Sequence, residues 1–222
     1  MTAVEARGVG PARRQLKLPG RIIEAQIDAA ARDLEVGAVK VGCLPSWQMV
    51  ETVARRLRRR HLQNAVLHPG IIDAEGARVL GARGAAAVRT GLFPRSRVVV
   101  LNRDEAGLLA EQAIGSWDDA MEAAVRLRAM GVEAVLITGL PGPRLCLEQE
   151  GGASAFDWAD GELGTRHAGV LTAAITARLA LGVTVQDAVA FAVQFAVNAA
   201  NAPGVGDTLP GRADDADILD EK

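Results

Sequence analysis

The sequence contains no tyrosine, and its four phenylalanines and three tryptophans bring the aromatic share of 222 residues to only 3%. Its core must therefore be built from Ala, Val, Leu and Ile, without the large rings that dominate many interiors. So few rings also argue against single-stranded nucleic acid as a partner, because bases stack on clustered aromatics. Cysteine is nearly absent: Cys43 and Cys146 show neither metal-ligand spacing nor a disulfide framework, which suits a reducing cytoplasm. An excess of one charge is missing too, and a formal net charge of −2 argues against a global nucleic-acid or membrane-surface role. The opening residues do not read as a signal peptide. Long hydrophobic runs are also lacking. The most apolar stretch, 188–202, is broken by Gln194, Asn198 and Asn201 and reads as a buried helix rather than a membrane span.

What is present is aliphatic and patterned. Hydrophobic residues make up 49% of the chain, enough for a sizeable core. Residues 1–18 read as a mobile segment with a short strand at 2–6. From Pro19 onward, Ile23, Ile27, Ala30 and Leu34 recur at helical spacing. Strands are expected at 38–41, 64–68, 97–101 and 133–138, the third (RVVVL) being the clearest. Helices separate them: one capped by Ser46, a weak one within 77–92, one through Ala113, and one opened by Ser116 with Asp119 and ended by Gly131. Residues 144–148 and 153–158 read as an antiparallel hairpin, and a last helix is capped at Thr184. Parallel strands need crossovers, and helices supply them here, so the fold class is three-layer α/β/α with a mostly parallel sheet. Residues 19–203 form this domain, and the acidic tail 204–222 is expected to be disordered. Ligands in such sheets sit outside the carboxyl ends of the strands.

The stretch 164–182 (GTRHAGVLTAAITARLALG) organises the expected site. A polar run at 164–169 is expected to be a loop opening a helix at about Val170. The unpaired N–H groups of that helix start, with Arg166 and His167 beside them, would attract an anion such as phosphate. The arginines 55, 56, 58, 59 and 60 end a helix, where they complement the macrodipole, and read as a solvated face.

The order of these residues resembles the hydroxymethylpyrimidine and phosphomethylpyrimidine kinases of thiamine biosynthesis, members of the ribokinase-like superfamily. Leu18-Pro19 with Ile23 and Gln26 is similar to the segment before that family's K-[IV]-G strand, seen here as Lys40-Val41-Gly42. Its D-P-V appears as His68-Pro69-Gly70, and its T-P-N-x-x-E-A as Val100 through Asn102, Glu105 and Ala106. The helix after its H-G-T-G-C aligns over 171–182, placing that motif on Thr165, Arg166, His167, Ala168 and Gly169. The resemblance implies Mg²⁺ and ATP as cofactors, with Asn102, Glu105, Thr138, Arg166, His167, Ala168 and Gly169 on the nucleotide side. It places Glu105 at the metal and Lys40 and His68 on the substrate side.

The departures from the family shape the functional expectation. Gly169 stands where the family has a catalytic cysteine, and glycine handles no proton. The family's glycine-rich first segment has no counterpart before Met1. A catalytically impaired kinase with at most residual nucleotide or anion binding is therefore expected. An active pyrimidine or vitamin kinase using substituted residues, with His68 or His167 as base, is the first alternative. A non-catalytic structural or regulatory protein is the second. For Asn102 and Glu105 a helix cap stands beside the metal role, and for Lys40 a plain strand-edge position. The strand at 38–41 should be an uncovered edge, so a homodimer or a partner protein is expected.

Overall fold

The computed structural model describes residues 1–7, 13–62, 64–72, 76–141, 144–157 and 165–200. Strands β1 (Ala3–Arg7) and β2 (Arg13–Lys17) form an antiparallel two-stranded hairpin of their own. The main sheet has the order β3-β4-β5-β6-β7-β8. Its strands are β3 (Val39–Val41), β4 (Ala65–Leu67), β5 (Ser96–Asn102), β6 (Ala134–Thr138), β7 (Arg144–Gln149) and β8 (Gly152–Asp157). β3 to β6 pair in parallel, and β7 and β8 return antiparallel as the expected hairpin.

Because the parallel strands advance one neighbour at a time, right-handed crossovers must drop every connecting helix on the same face. That face carries α2 (Trp47–Arg59), α3 (Ala82–Ala87), α4 (Arg103–Ala110) and α5 (Trp117–Arg128), with α1 (Gly20–Asp33) packed on α2. The other face is left for α6 (Thr165–Ala180) and α7 (Val185–Ala200). β5 shows the division residue by residue. Val99 and Leu101 join the first core beside Leu109 and Leu127, while Val98 and Val100 join Leu171 and Ile175 in the second. A strand buried on both faces reads as an unbroken apolar run, which is why RVVVL stood out. The three-layer α/β/α architecture is as expected from the sequence.

Three local differences have physical causes. Arg13–Lys17, which lacks alternation, becomes a strand because β1 pairs with it. The weak helix at 77–92 begins only at Ala82, and its ladder loosens into a π-helical turn (Val88–Leu92) and a 3₁₀ turn (Phe93–Arg95) before β5. α6 starts at Thr165, about a turn earlier than expected, so Arg166 to Gly169 are helical rather than loop. One interior glycine costs only about 1 kcal/mol and does not stop a helix. The expected strand end at Trp158 and the tail 204–222 lie outside the described residues. No helix among the described residues is long and apolar enough to cross a membrane.

Candidate active site at the carboxyl edge of the sheet

The parallel register brings the strand ends together. Asn102 at the end of β5 is beside Thr138 at the end of β6, and Val41 is beside Leu67. α6 runs against the strands. Its last turn lies at Gly37, before β3, where an added Cβ would come within 2.9 Å of the Ala180 carbonyl oxygen. Its amino end therefore points to the carboxyl edge, where a ligand would meet unpaired N–H groups and the positive end of the helix dipole. With α6 starting at Thr165, those N–H groups belong to the first turn from 165 rather than to Val170.

The expected nucleotide-side residues are largely occupied with holding this edge together. Asn102 caps α4: its Oδ1 accepts from the Glu105 N–H at 2.8 Å, and Glu105 Oε2 accepts from the Asn102 N–H at 3.2 Å. The other oxygen of Glu105 accepts from the N–H groups of Ile71 at 2.7 Å and Ile72 at 3.3 Å, staples of the loop after β4. Glu105 is buried, so its carboxylate is a tie between α4 and that loop. A buried carboxylate with every bond to backbone N–H does not fit a direct metal ligand. Among the described residues no group of three or more His, Cys, Asp or Glu is placed to hold a metal ion. Thr138 is buried and its hydroxyl donates to the Leu101 carbonyl oxygen at 3.4 Å.

On the substrate side, Lys40 is exposed in β3. His68 is half-buried, with Nδ1 at 3.2 Å from the Val100 carbonyl oxygen. A carbonyl only accepts, so Nδ1 carries the proton and the neutral ring keeps Nε2 as an acceptor. Ala168 is buried, and its carbonyl takes the Thr172 hydroxyl at 2.7 Å. Gly169 lies in the second turn of α6, and an added Cβ would meet no atom within 4 Å. The side chains of Arg166 and His167 lie outside the described residues.

Two features of this edge escaped the sequence reading. The Arg83 guanidinium lies over the Trp47 ring, 3.4 Å from its centroid, bridging α3 to the first residue of α2. Gly70 takes φ +59, and a Cβ there would come within 3.1 Å of the Cys43 Cβ, so a side chain at this position would crowd Cys43 as well as strain the backbone. A tryptophan directly after Pro45-Ser46 at a strand end was the available signal for the first.

A family model described as phosphomethylpyrimidine kinase matches residues 1–209. The chain belongs to the phosphomethylpyrimidine kinase family. A hydroxymethylpyrimidine/phosphomethylpyrimidine kinase of Bacillus subtilis is 34% identical over 139 residues, 63% of this chain and 51% of that relative. This phosphomethylpyrimidine kinase family member thus spans about half the length of that curated relative. A pyridoxine kinase of the same species is 32% identical over 188 residues, covering 78% of this chain and 67% of its own. Among solved structures, the ADP complex of Bacillus subtilis pyridoxal kinase superposes with a TM-score of 0.80 at 27% identity, over 88% of this chain and 77% of that one.

Proposed function

We propose that this family member is a vitamin-kinase scaffold that holds a nucleotide or other phosphate at the carboxyl edge and transfers phosphate slowly. The observation that carries the reading is Gly169. It occupies the position where the family resemblance puts a proton-handling cysteine, and among the described residues no side chain fills the space beside it. Phosphoryl transfer requires positioning, charge stabilisation and a group to manage the acceptor proton. The amino end of α6 supports the second requirement, and the ADP held by the related pyridoxal kinase supports a nucleotide as the ligand. ATP would supply the phosphoryl group. Because Glu105 is bonded to backbone on both oxygens, no step is assigned to Mg²⁺.

The test is ADP release in a coupled assay, with hydroxymethylpyrimidine and pyridoxine as acceptors. Loss of proton handling lowers rates by about 10²–10⁴-fold, so turnover on the order of 1 s⁻¹ or faster overturns the reading. A second reading, an active kinase with His68 as base, is favoured by the free acceptor Nε2 on that ring. It requires that ordinary turnover be seen and be lost in His68→Asn. Calorimetry showing no binding of Mg-ATP or Mg-ADP would move the chain to a non-catalytic interaction role. As partner we propose a second copy of the chain. The two-stranded hairpin stands outside the main sheet with Val4 50% and Leu16 67% exposed, and β3 is a sheet edge.

A further inference from the structure

At the opposite, amino edge of the main sheet lies a cleft of about 570 Å³, between the end of α2 and the starts of β4, β5 and β6. Three guanidinium groups line it, from Arg58, Arg95 and Arg97, against the single carboxylate of Glu133. Arg97 is partly satisfied, with Nε 3.2 Å from Glu133 and Nη1 3.0 Å from the Asn64 side-chain oxygen. Arg58 is exposed and has no partner among the described residues. Arg95 donates from Nη1 to the Gly91 carbonyl oxygen, but its Nε is buried without a hydrogen-bond partner. That atom is closed to a ligand, so Arg95 can offer the cleft only its terminal nitrogens, and Arg58 is the guanidinium left entirely available.

The backbone of the cleft is also unusual. Pro94 and Arg95, in the 3₁₀ turn Phe93–Arg95 just before β5, form one wall. His61 (φ 52) and Asn64 (φ 56), both lining residues, hold left-handed backbone without being glycine. Leu57, Leu62, Pro94 and Val132 make the rest of the lining largely aliphatic, and no Phe, Tyr or Trp is among the lining residues.

We propose that this cleft binds a small phosphorylated metabolite through Arg58, Arg95 and Arg97, at a site separate from the carboxyl-edge crevice. Guanidinium forks match phosphate oxygens in pairs, and an excess of such forks over carboxylates suits a multiply charged oxyanion. The cleft is much larger than a lone ion needs and lies within the size range of small-molecule sites, so an organic portion has room on the aliphatic wall. β5 runs from Arg97 in this cleft to Asn102 at the other edge, roughly 17 Å at 3.3 Å per residue step. The proposal is therefore independent of whether the carboxyl edge binds nucleotide.

Calorimetric titration of the full chain with inorganic phosphate and with glycerol 3-phosphate tests it. Saturable binding is expected for both, tighter for the monoester. Arg58→Gln should weaken it by about tenfold or more, the usual effect of losing a charge-assisted bond. Arg21→Gln, which removes an exposed charge at the start of α1 outside the cleft, should leave it unchanged. Arg58 is exposed, so its replacement keeps the test valid even if Arg97→Gln fails to fold. No saturable heat at about 10 mM ligand, equal affinity in Arg58→Gln, or an equal loss in Arg21→Gln would each overturn the site. Monoester binding no tighter than inorganic phosphate would overturn the metabolite.

Discussion

Gly169 joins stability and chemistry at one atom. In an α-helix interior, glycine is about 0.5–1 kcal/mol worse than alanine, and the space beside Gly169 is open. Gly169→Ala is therefore expected to raise the thermal midpoint, by the equivalent of about 0.5–1 kcal/mol, without restoring transfer. An unchanged or lower midpoint would mean that the site is more crowded than the backbone indicates. Glu105 makes the opposite case. Glutamine there keeps an oxygen for Ile71 and Ile72 but turns an amide donor toward the Asn102 N–H, so Glu105→Gln should destabilise by about 1–3 kcal/mol in urea unfolding. If stability holds and only the Mg²⁺ dependence of nucleotide binding shifts, Glu105 is a metal-side residue rather than a tie. The sequence made Asn102 and Glu105 visible as a pair, yet their spacing alone left cap and metal roles open. The loop N–H groups that occupy one oxygen of Glu105 come from residues more than thirty positions away.

At the scale of elements, α1 and α2 are joined by a ladder of charges. Glu24 pairs with Arg55 and with Arg56 at 2.7 Å, and Asp28 with Arg56 at 3.3 Å and Arg60 at 2.8 Å. Three of the five arginines read as a solvated face thus bind a neighbouring helix, and a fourth, Arg58, lines the amino-edge cleft. Hydrogen bonds from Arg55 and Arg56 hold the Glu24 carboxyl below its ordinary 4.5, and Arg60 does the same for Asp28 below 3.8. A depressed acid stabilises the fold above its unfolded pKa and ceases to do so as pH falls through the folded one. The thermal midpoint should therefore fall as pH drops below about 4.5, with less of that fall in the Glu24→Gln, Asp28→Asn double variant. Parallel curves for the two proteins would show that the ladder adds nothing to acid stability. Periodicity revealed α1 and α2, whereas the ladder depends on how they pack, to which a hydrophobic pattern is blind.

For the whole molecule, the open question of shape is the β3 edge. It is only three residues long and carries the exposed Lys40, both devices that discourage strand addition. The hairpin is a different matter, because an isolated two-stranded sheet with exposed Val4 and Leu16 is marginal in water. Met1 ties it to α1 through Gln26 at 3.0 Å, which anchors one end and leaves its apolar side chains uncovered. Light scattering should give a species near twice the 23.2 kDa chain mass at micromolar concentration, and a monodisperse species at the chain mass would refute a dimer. The sequence by itself determined the order of strands and helices from Pro19 onward, the buried strand β5 and the parallel core, but not the hairpin partner Arg13–Lys17. Local periodicity, caps and the handedness of crossovers suffice for these. It also marked Gly169, since a missing side chain needs no structure to be noticed. Only the tertiary structure decided where α6 begins, what Glu105 holds and that Arg58, Arg95 and Arg97 line one cleft. Each of these depends on groups brought together by packing from distant parts of the chain, and sequence spacing carries no record of that distance.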